Sequence, residues 1–425
     1  VTGIVLWSGG SAVLRFTHLS LLENFVRRYC EVMLLSAVLL SSNALAAPDT
    51  AAATQRAATL AKQVLLADTH IDAPYRLQED GWRDLGTATP DREFDVVKAR
   101  AGGLDLAFMS IYTPSSLDAS GGNRAVADTL IDAVEAMVGR NPANFVIVRN
   151  PEQARAAKAD GKLALALGME NGAAIGDSLD GLRHFHARGV RYITLAHAMA
   201  NRLADSSYDL EHRRADGLSA FGAEVVAEMN RLGVMVDVSH LSDDAVRSVV
   251  ATSKVPVIAS HSSVRHFTPG WERNLSDALI DAISAKGGVI QVTFGSGFVS
   301  QAANAWRDAE KAAQQAAGVA DDGPDAEAFD VTYRQAHPYP YASAATVADH
   351  IDYIVKRVGI DHVGLGSDFD GVGDSLPSDL KDVSQYPNLI AELLARGYSD
   401  AQIAQIAGGN LLRVWAAVER YAQTR

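Results

Sequence analysis

The stretch Leu65-Leu66-Ala67-Asp68-Thr69-His70-Ile71-Asp72 is an apolar run that turns polar at its end, with an imidazole and a carboxylate two residues apart. On a β-strand, residues i and i+2 point the same way, so His70 and Asp72 aim into one space from one strand end. One nitrogen and one oxygen presented together suit zinc or a neighbouring divalent ion. Taken alone, the pair describes a His–Asp hydrogen bond at a strand end equally well. The arrangement recurs down the chain, however. Glu170 closes LALALGME, His197 follows YITLA, His240 follows VMVDVS, His261 follows VPVIAS, and Asp368 follows HVGLGS. Each of these apolar runs ends in a group of a type that can bind a metal or move a proton.

Such groups act together only if the fold brings the run ends together. Helical apolar periods at 125–138, 151–159, 179–188, 220–232, 242–253 and 275–285 alternate with the runs. Apolar strands alternating with helices indicate a parallel sheet covered by helices, and eight strand-like runs fit an α/β protein of the (β/α)8 TIM-barrel type. A short extended piece at 145–148 stands outside this count. A doubly wound open sheet is the alternative, but no Gly-rich phosphate loop follows the first strand. In an open sheet the first and last strands lie far apart, whereas in a barrel all C-terminal strand ends meet at one mouth. There, His70, Asp72, Glu170, His240 and His261 would form one ligand set. Five ligands exceed what one catalytic zinc takes and suit two ions sharing Glu170. Two such ions, about 3.5 Å apart, can hold a hydroxide between them near neutral pH. Asp368 is then placed to handle the proton of that water, and His197 is left to stabilise an oxyanion.

The remaining composition narrows the class. A net charge of −13, with no prominent Lys/Arg run beyond the N-terminal segment, argues against nucleic acid or an anionic membrane as a partner. Cys30 is the single cysteine, so any metal must sit on His, Asp and Glu. Arg27-Arg28, the apolar segment 32–40 and Ala44-Leu45-Ala46-Ala47 read as a secretory signal peptide too short to span a bilayer. The expected product is therefore residues 48–425, a single barrel domain without a membrane anchor, exported to the periplasm or secreted. A long connection at 299–346 reads as an insertion, helical at first and irregular around HPYPYAS. Residues 401–422 read as a closing amphipathic helix interrupted at Gly408-Gly409-Asn410. A homodimer is the default expectation for such an enzyme.

The sequence resembles the membrane (renal) dipeptidase family of barrel zinc peptidases from about Ala67 to Val418. The resemblance rests on DTHIDAP at 68–74, MENG at 169–172, ITLAH at 193–197, VDVSH at 236–240 and ASHSS at 259–263. It continues through ERN at 272–274, VGLGSDFDG at 363–371, DVSQYPNLIAELLARG at 382–397 and GGNLLRV at 408–414. The His-x-Asp of the first motif sets it apart from the His-x-His of most barrel amidohydrolases. The resemblance implies two zinc ions, one on His70 and Asp72, the other on His240 and His261, with Glu170 bridging. It implies that His197 contacts the substrate and the developing oxyanion, and that Arg273, helped by Asn274, binds the free carboxylate of a dipeptide. It also implies that Asp368 passes the proton to the leaving amine, and that a D-residue is accepted at the C-terminal position. A guanidinium fork matches a carboxylate on chemical grounds alone.

Two departures from the family stand out. Gly295 occupies a place where an aromatic residue is frequent, which would widen the pocket, and the 299–346 insertion is long. Asp237 reads as facing away from the site, and the other histidines as surface or packing residues, with His266 nearest to the mouth. Three functions are compatible with these residues: a dipeptidase, a related amidohydrolase acting on N-acyl amino acids, β-lactams or lactones, and a non-hydrolytic maturation or binding protein. Loss of ligands would favour the third, and the ligand set is intact.

Overall fold

The computed structural model describes residues 50–320 and 323–424, so the expected leader at 1–47 lies outside the described residues. The strands are β1 (Leu66–Ile71), β2 (Leu104–Tyr112), β3 (Phe145–Ile147), β4 (Leu163–Glu170), β5 (Val190–Thr194), β6 (Met235–Asp237), β7 (Ile258–Ala259), β8 (Val289–Val292) and β9 (Val363–Leu365). All pair in parallel in the order β1-β2-β4-β5-β6-β7-β8-β9. A parallel bridge between Ile71 and Phe369 joins the last strand to the first. The Asp72 amide donates to the Phe369 carbonyl at 2.9 Å and the Asp368 amide to that of His70 at 3.1 Å. This is the expected eight-stranded barrel. The short piece at 145–148 is a true strand, but β3 pairs only with β4 and adds a flap outside the ring.

Strand alternation sorts the side chains. Ala107, Met109 and Ile111 of β2 face the helices, whereas Leu106 and Phe108 join Tyr192, Met235, Ile258 and Val289 in a second cluster. That cluster fills the lower barrel, as period 2 requires. Trp415 of the final helix (Asn410–Gln423) completes it, with its ring 5.2 Å from that of Phe108. Above this apolar layer the inward positions turn polar: Thr69, Thr194, Asp237 and Gln291 are all buried. The strands thus change from packing to chemistry along their length.

The 299–346 region is more ordered than its sequence suggests. Helices Gln301–Ala316 and Pro324–Ala336 lie within it, and Ser343 opens the next helix (Ala344–Val358) with a capping box. Trp306 packs edge-on against Tyr339 at 4.8 Å, and its indole N–H donates to the His337 carbonyl at 2.9 Å, so the irregular HPYPYAS segment is pinned to the first of these helices.

Candidate active site

Glu170, at the C-terminal end of β4 and only 4% exposed, is the centre of the site. Its Oε1 lies 3.0 Å from His240 Nε2, 3.3 Å from His261 Nε2 and 3.5 Å from His197 Nε2. Its Oε2 lies 3.3 Å from His70 Nε2, which is itself 3.4 Å from Asp72 Oδ2 and 4.0 Å from Asp368 Oδ1. Seven groups from six strand ends therefore meet, each within 4.0 Å of another. His240 and Asp368 reach it from left-handed backbone, at φ 68° and 69°, a conformation that costs a non-glycine residue about 1–3 kcal/mol and gathers at functional sites. Gly371 permits the approach of two carboxylates, since a Cβ there would collide with Asp72 Oδ2 and Asp368 Oδ1.

Hydrogen bonds behind the imidazoles decide which nitrogen faces the centre. Tyr192 donates its hydroxyl proton to the Thr69 carbonyl at 2.9 Å, so its oxygen accepts from His70 Nδ1 at 2.8 Å. Ser260 donates to Asp237 Oδ2 at 2.6 Å and accepts from His261 Nδ1 at 2.7 Å. Both rings are thereby held as Nδ1–H tautomers that turn an Nε2 lone pair inward. Asp237 is thus not directed away from the site, as its sequence position suggests. It points into the barrel and steadies His261 through Ser260. Tyr192 and Ser260 were not singled out from sequence, although Tyr192 sits on the inward phase of β5.

The electrostatics agree with this assignment at His261, whereas at His70 the surrounding carboxylates favour the protonated ring until a cation takes the proton's place. Burial, reinforced by Arg273 at His240 and by His70 at His261, holds both imidazoles well below their ordinary pKa, hence neutral. Burial likewise lowers His197. Burial opposes the charge on Glu170, but His70 and His197 outweigh it and keep the carboxyl well below its usual range. Burial also opposes protonation of His70, yet Tyr192, Asp72 and Glu170 carry its pKa well above the ordinary value. Asp368 is pushed up to about 8 by burial and by the neighbouring Asp72 and Glu170.

These residues fit a divalent metal site. Among the described residues, His70 Nε2 and Asp72 Oδ1 are buried without a hydrogen-bond partner. Three overlapping sets, His70–Glu170–His261, Glu170–His197–His240 and His70–Asp72–Asp368, each present ligand atoms within 4.8 Å of one another. The raised His70 and Asp368 show that this cluster of buried carboxylates draws in positive charge, as protons or as a cation. The donors are imidazole and carboxylate only, a set suited to zinc and its neighbours.

Asp72, Glu170, His197, His240 and Asp368 line a cavity of about 620 Å³, walled further by Tyr75, Tyr112, Tyr208, Phe298 and Lys311. Tyr112 meets His197 edge-on at 4.9 Å. Gly295 does not widen this space, because the Phe298 ring lies where a side chain at 295 would start. Arg273 is 2% exposed and stands behind Phe298, with its guanidinium carbon 5.2 Å from the ring centre. Its Nη1 donates to Ser262 at 2.8 Å and its Nη2 to the His261 carbonyl at 2.8 Å, while Nη2 also lies 3.1 Å from His240 Nε2. Asn274 is not brought to the cavity. Its amide nitrogen donates to Thr268 Oγ1 and the Phe298 carbonyl, both at 2.7 Å, and its oxygen accepts from the Ser263 amide at 3.2 Å. With its amide committed on both sides, it orders the loop carrying Arg273. His266, expected nearest to the mouth, stacks on Tyr353 at 4.7 Å.

The family model for membrane dipeptidase, peptidase family M19, matches residues 54–425. The chain is 35% identical over 390 residues to the uncharacterized dipeptidase C965.12 of Schizosaccharomyces pombe, covering 87% of this chain and 84% of that one. The crystal structure of the probable dipeptidase PvdM from Pseudomonas aeruginosa superposes with a TM-score of 0.75 at 32% identity, over 87% of this chain and 99% of that one. A metallopeptidase from Rhodobacter sphaeroides, liganded with a phosphinate mimic of the dipeptide L-Ala-D-Ala, shares the fold with a TM-score of 0.69 at 24% identity, over 84% and 99% of the two chains. A barrel whose strand ends gather imidazoles around one carboxylate, matched over nearly all its described length, belongs to the membrane dipeptidase family of metallopeptidases, hydrolases of peptide bonds.

Proposed function

We propose that this exported enzyme hydrolyses the peptide bond of free dipeptides at a site holding two zinc ions. The observation that carries the reading is the convergence of the His70, His240 and His261 Nε2 atoms on the two oxygens of Glu170. His70 and Asp72 would hold one ion, His240 and His261 the other, and Glu170 both. A divalent pair supplies a water acidic enough to ionise near neutral pH and a Lewis acid for the scissile carbonyl.

The chain's own groups do the rest. Asp368, beside Asp72 and the His70 ring, takes the proton of the attacking water and returns it to the departing amine. His197, neutral and facing the cavity, donates to the developing oxyanion. Arg273 pairs with the substrate's terminal carboxylate. Its Nε has no hydrogen-bond partner among the described residues, and its position next to His240 sets that carboxylate close to the reacting bond. Tolerance of a C-terminal D-residue follows from the same reading, since the clamp grips the carboxylate and not the side chain.

The test is a panel given to zinc-loaded residues 48–425: a free dipeptide, its C-terminal amide, its N-acetyl form and a tripeptide. A charged hydrogen-bonded pair contributes about 1.5–3 kcal/mol, so the free dipeptide should exceed its amide by about ten- to hundredfold in kcat/KM. Arg273→Met should collapse that ratio. Equal cleavage of the amide by the wild type would remove Arg273 from its role and favour a broader amidase. Cleavage confined to N-acyl or lactone substrates would favour the related amidohydrolase, and no cleavage by a metal-loaded protein a non-hydrolytic one.

A further inference from the structure

Two arginine or lysine side chains line the cavity, Arg76 and Lys311, and they differ in one respect. Arg76 is paired with Asp80 at 2.8 Å. Lys311 has no hydrogen bond or ion pair among the described residues, although it borders a cavity otherwise lined by Glu79, Asp91, Glu93 and Asp370 as well as the catalytic carboxylates. It is also carried by the insertion helix Gln301–Ala316, not by a strand end.

Its place on that helix is fixed by stacking. Arg307, one turn earlier on the same helix face, lies 4.4 Å over the Trp271 ring. Trp271 packs on Phe298 at 5.1 Å, and Phe298 covers Arg273. Lys311 therefore borders the cavity on the side of the carboxylate clamp, where the C-terminal residue of a dipeptide would lie. Arg273 satisfies one carboxylate there. Lys311, a cation on the same cavity without a partner among the described residues, can take a second, whereas Glu79, Asp91, Glu93 and Asp370 would repel one from the wall they line.

We propose that Lys311 makes the enzyme select dipeptides whose C-terminal residue carries an acidic side chain. This rests on the dipeptidase reading and names the substrate class of that same site. The test compares Ala-Glu with the isosteric Ala-Gln, with Glu-Ala as a third substrate, in the wild type, Lys311→Ala and Lys311→Glu. A partly exposed ion pair contributes up to about 1 kcal/mol, so the wild type should favour Ala-Glu over Ala-Gln by about fivefold, and Lys311→Ala should erase that preference. Lys311→Glu should invert it. Position 311 is an exposed helix site, so neither variant threatens the fold.

An Ala-Glu to Ala-Gln ratio unchanged by both variants would overturn the proposal, including the case in which both substrates lose equally because Lys311 holds the main-chain carboxylate. A loss confined to Glu-Ala would also overturn it, placing Lys311 against the N-terminal residue. A wild type that cleaves none of the three would overturn the dipeptidase reading first, and this inference with it.

Discussion

Glu170→Gln is expected to lower dipeptide hydrolysis by orders of magnitude while leaving the barrel folded. The substitution keeps the shape of the side chain and removes its charge from a point where four imidazole nitrogens lie within 3.0–3.5 Å. A neutral amide offers one acceptor oxygen and one NH2, and an NH2 cannot ligate a cation, so one side of the shared ligand is lost. The carboxylate is also the one group that touches all four histidines of the site, so its loss weakens any cation's hold on both sides at once. Breaking one side of a buried charge arrangement costs about 3–5 kcal/mol, which corresponds to a fall in kcat/KM of about a hundred- to a few thousandfold. Bound metal, measured by elemental analysis after dialysis, should fall below the wild-type count. Far-ultraviolet circular dichroism should stay the same. Full metal content with full activity would show that Glu170 is not the shared ligand.

Asp368→Asn separates proton transfer from metal binding. Asp368 lies 4.0 Å from His70 Nε2, at the edge of the ligand set and not at its centre. The variant should therefore keep its metal and lose about a hundred- to ten-thousandfold in kcat, the range that a positioned acid–base group contributes. The pH profile supplies a second readout. Burial and the carboxylates of Asp72 and Glu170 raise this carboxyl to about 8, so near pH 7 it tends to hold its proton. Bound cations favour the charged form and draw the value down from there. Because the reaction begins with Asp368 as the proton acceptor, activity should rise with pH through its pKa, giving an acid limb that lies below about 8. That limb should vanish in Asp368→Asn. An unchanged limb in the variant would assign the titration, and the proton transfer, to another group.

The barrel was legible because its strands are apolar runs separated by helical periods, and because each run turns polar at one end. The same feature exposed His70, Glu170, His197, His240, His261 and Asp368: a titratable residue immediately after a buried strand has few places to go except the mouth. What sequence reading missed acts across the barrel. Tyr192 holds His70 from 122 positions away, and Ser260 reports on Asp237 from 23 positions away, contacts that no local period encodes. Asp237 was misplaced because it precedes His240 by an odd step, while the chain leaves the strand in between and His240 adopts positive φ. The loop residues were harder still. Asn274 neighbours Arg273 in sequence but turns its amide to Thr268 and Phe298, and the space beside Gly295 is closed by Phe298 three residues on. Packing of that kind depends on loop conformation, which carries no periodic signal. Lys311 belongs to the same class, since only the stacking of Arg307 on Trp271 shows which way its helix faces.

The most direct measurement is a zinc titration of the metal-free protein, residues 48–425, in which bound zinc per chain and the rate of free-dipeptide hydrolysis are read at each addition. Activity rising to a plateau at two bound zinc ions per chain is the expected result, since the ligand atoms around Glu170 divide into two sets that share its carboxylate. Full activity at one bound ion, or activity that persists without metal, would contradict a binuclear dipeptidase site.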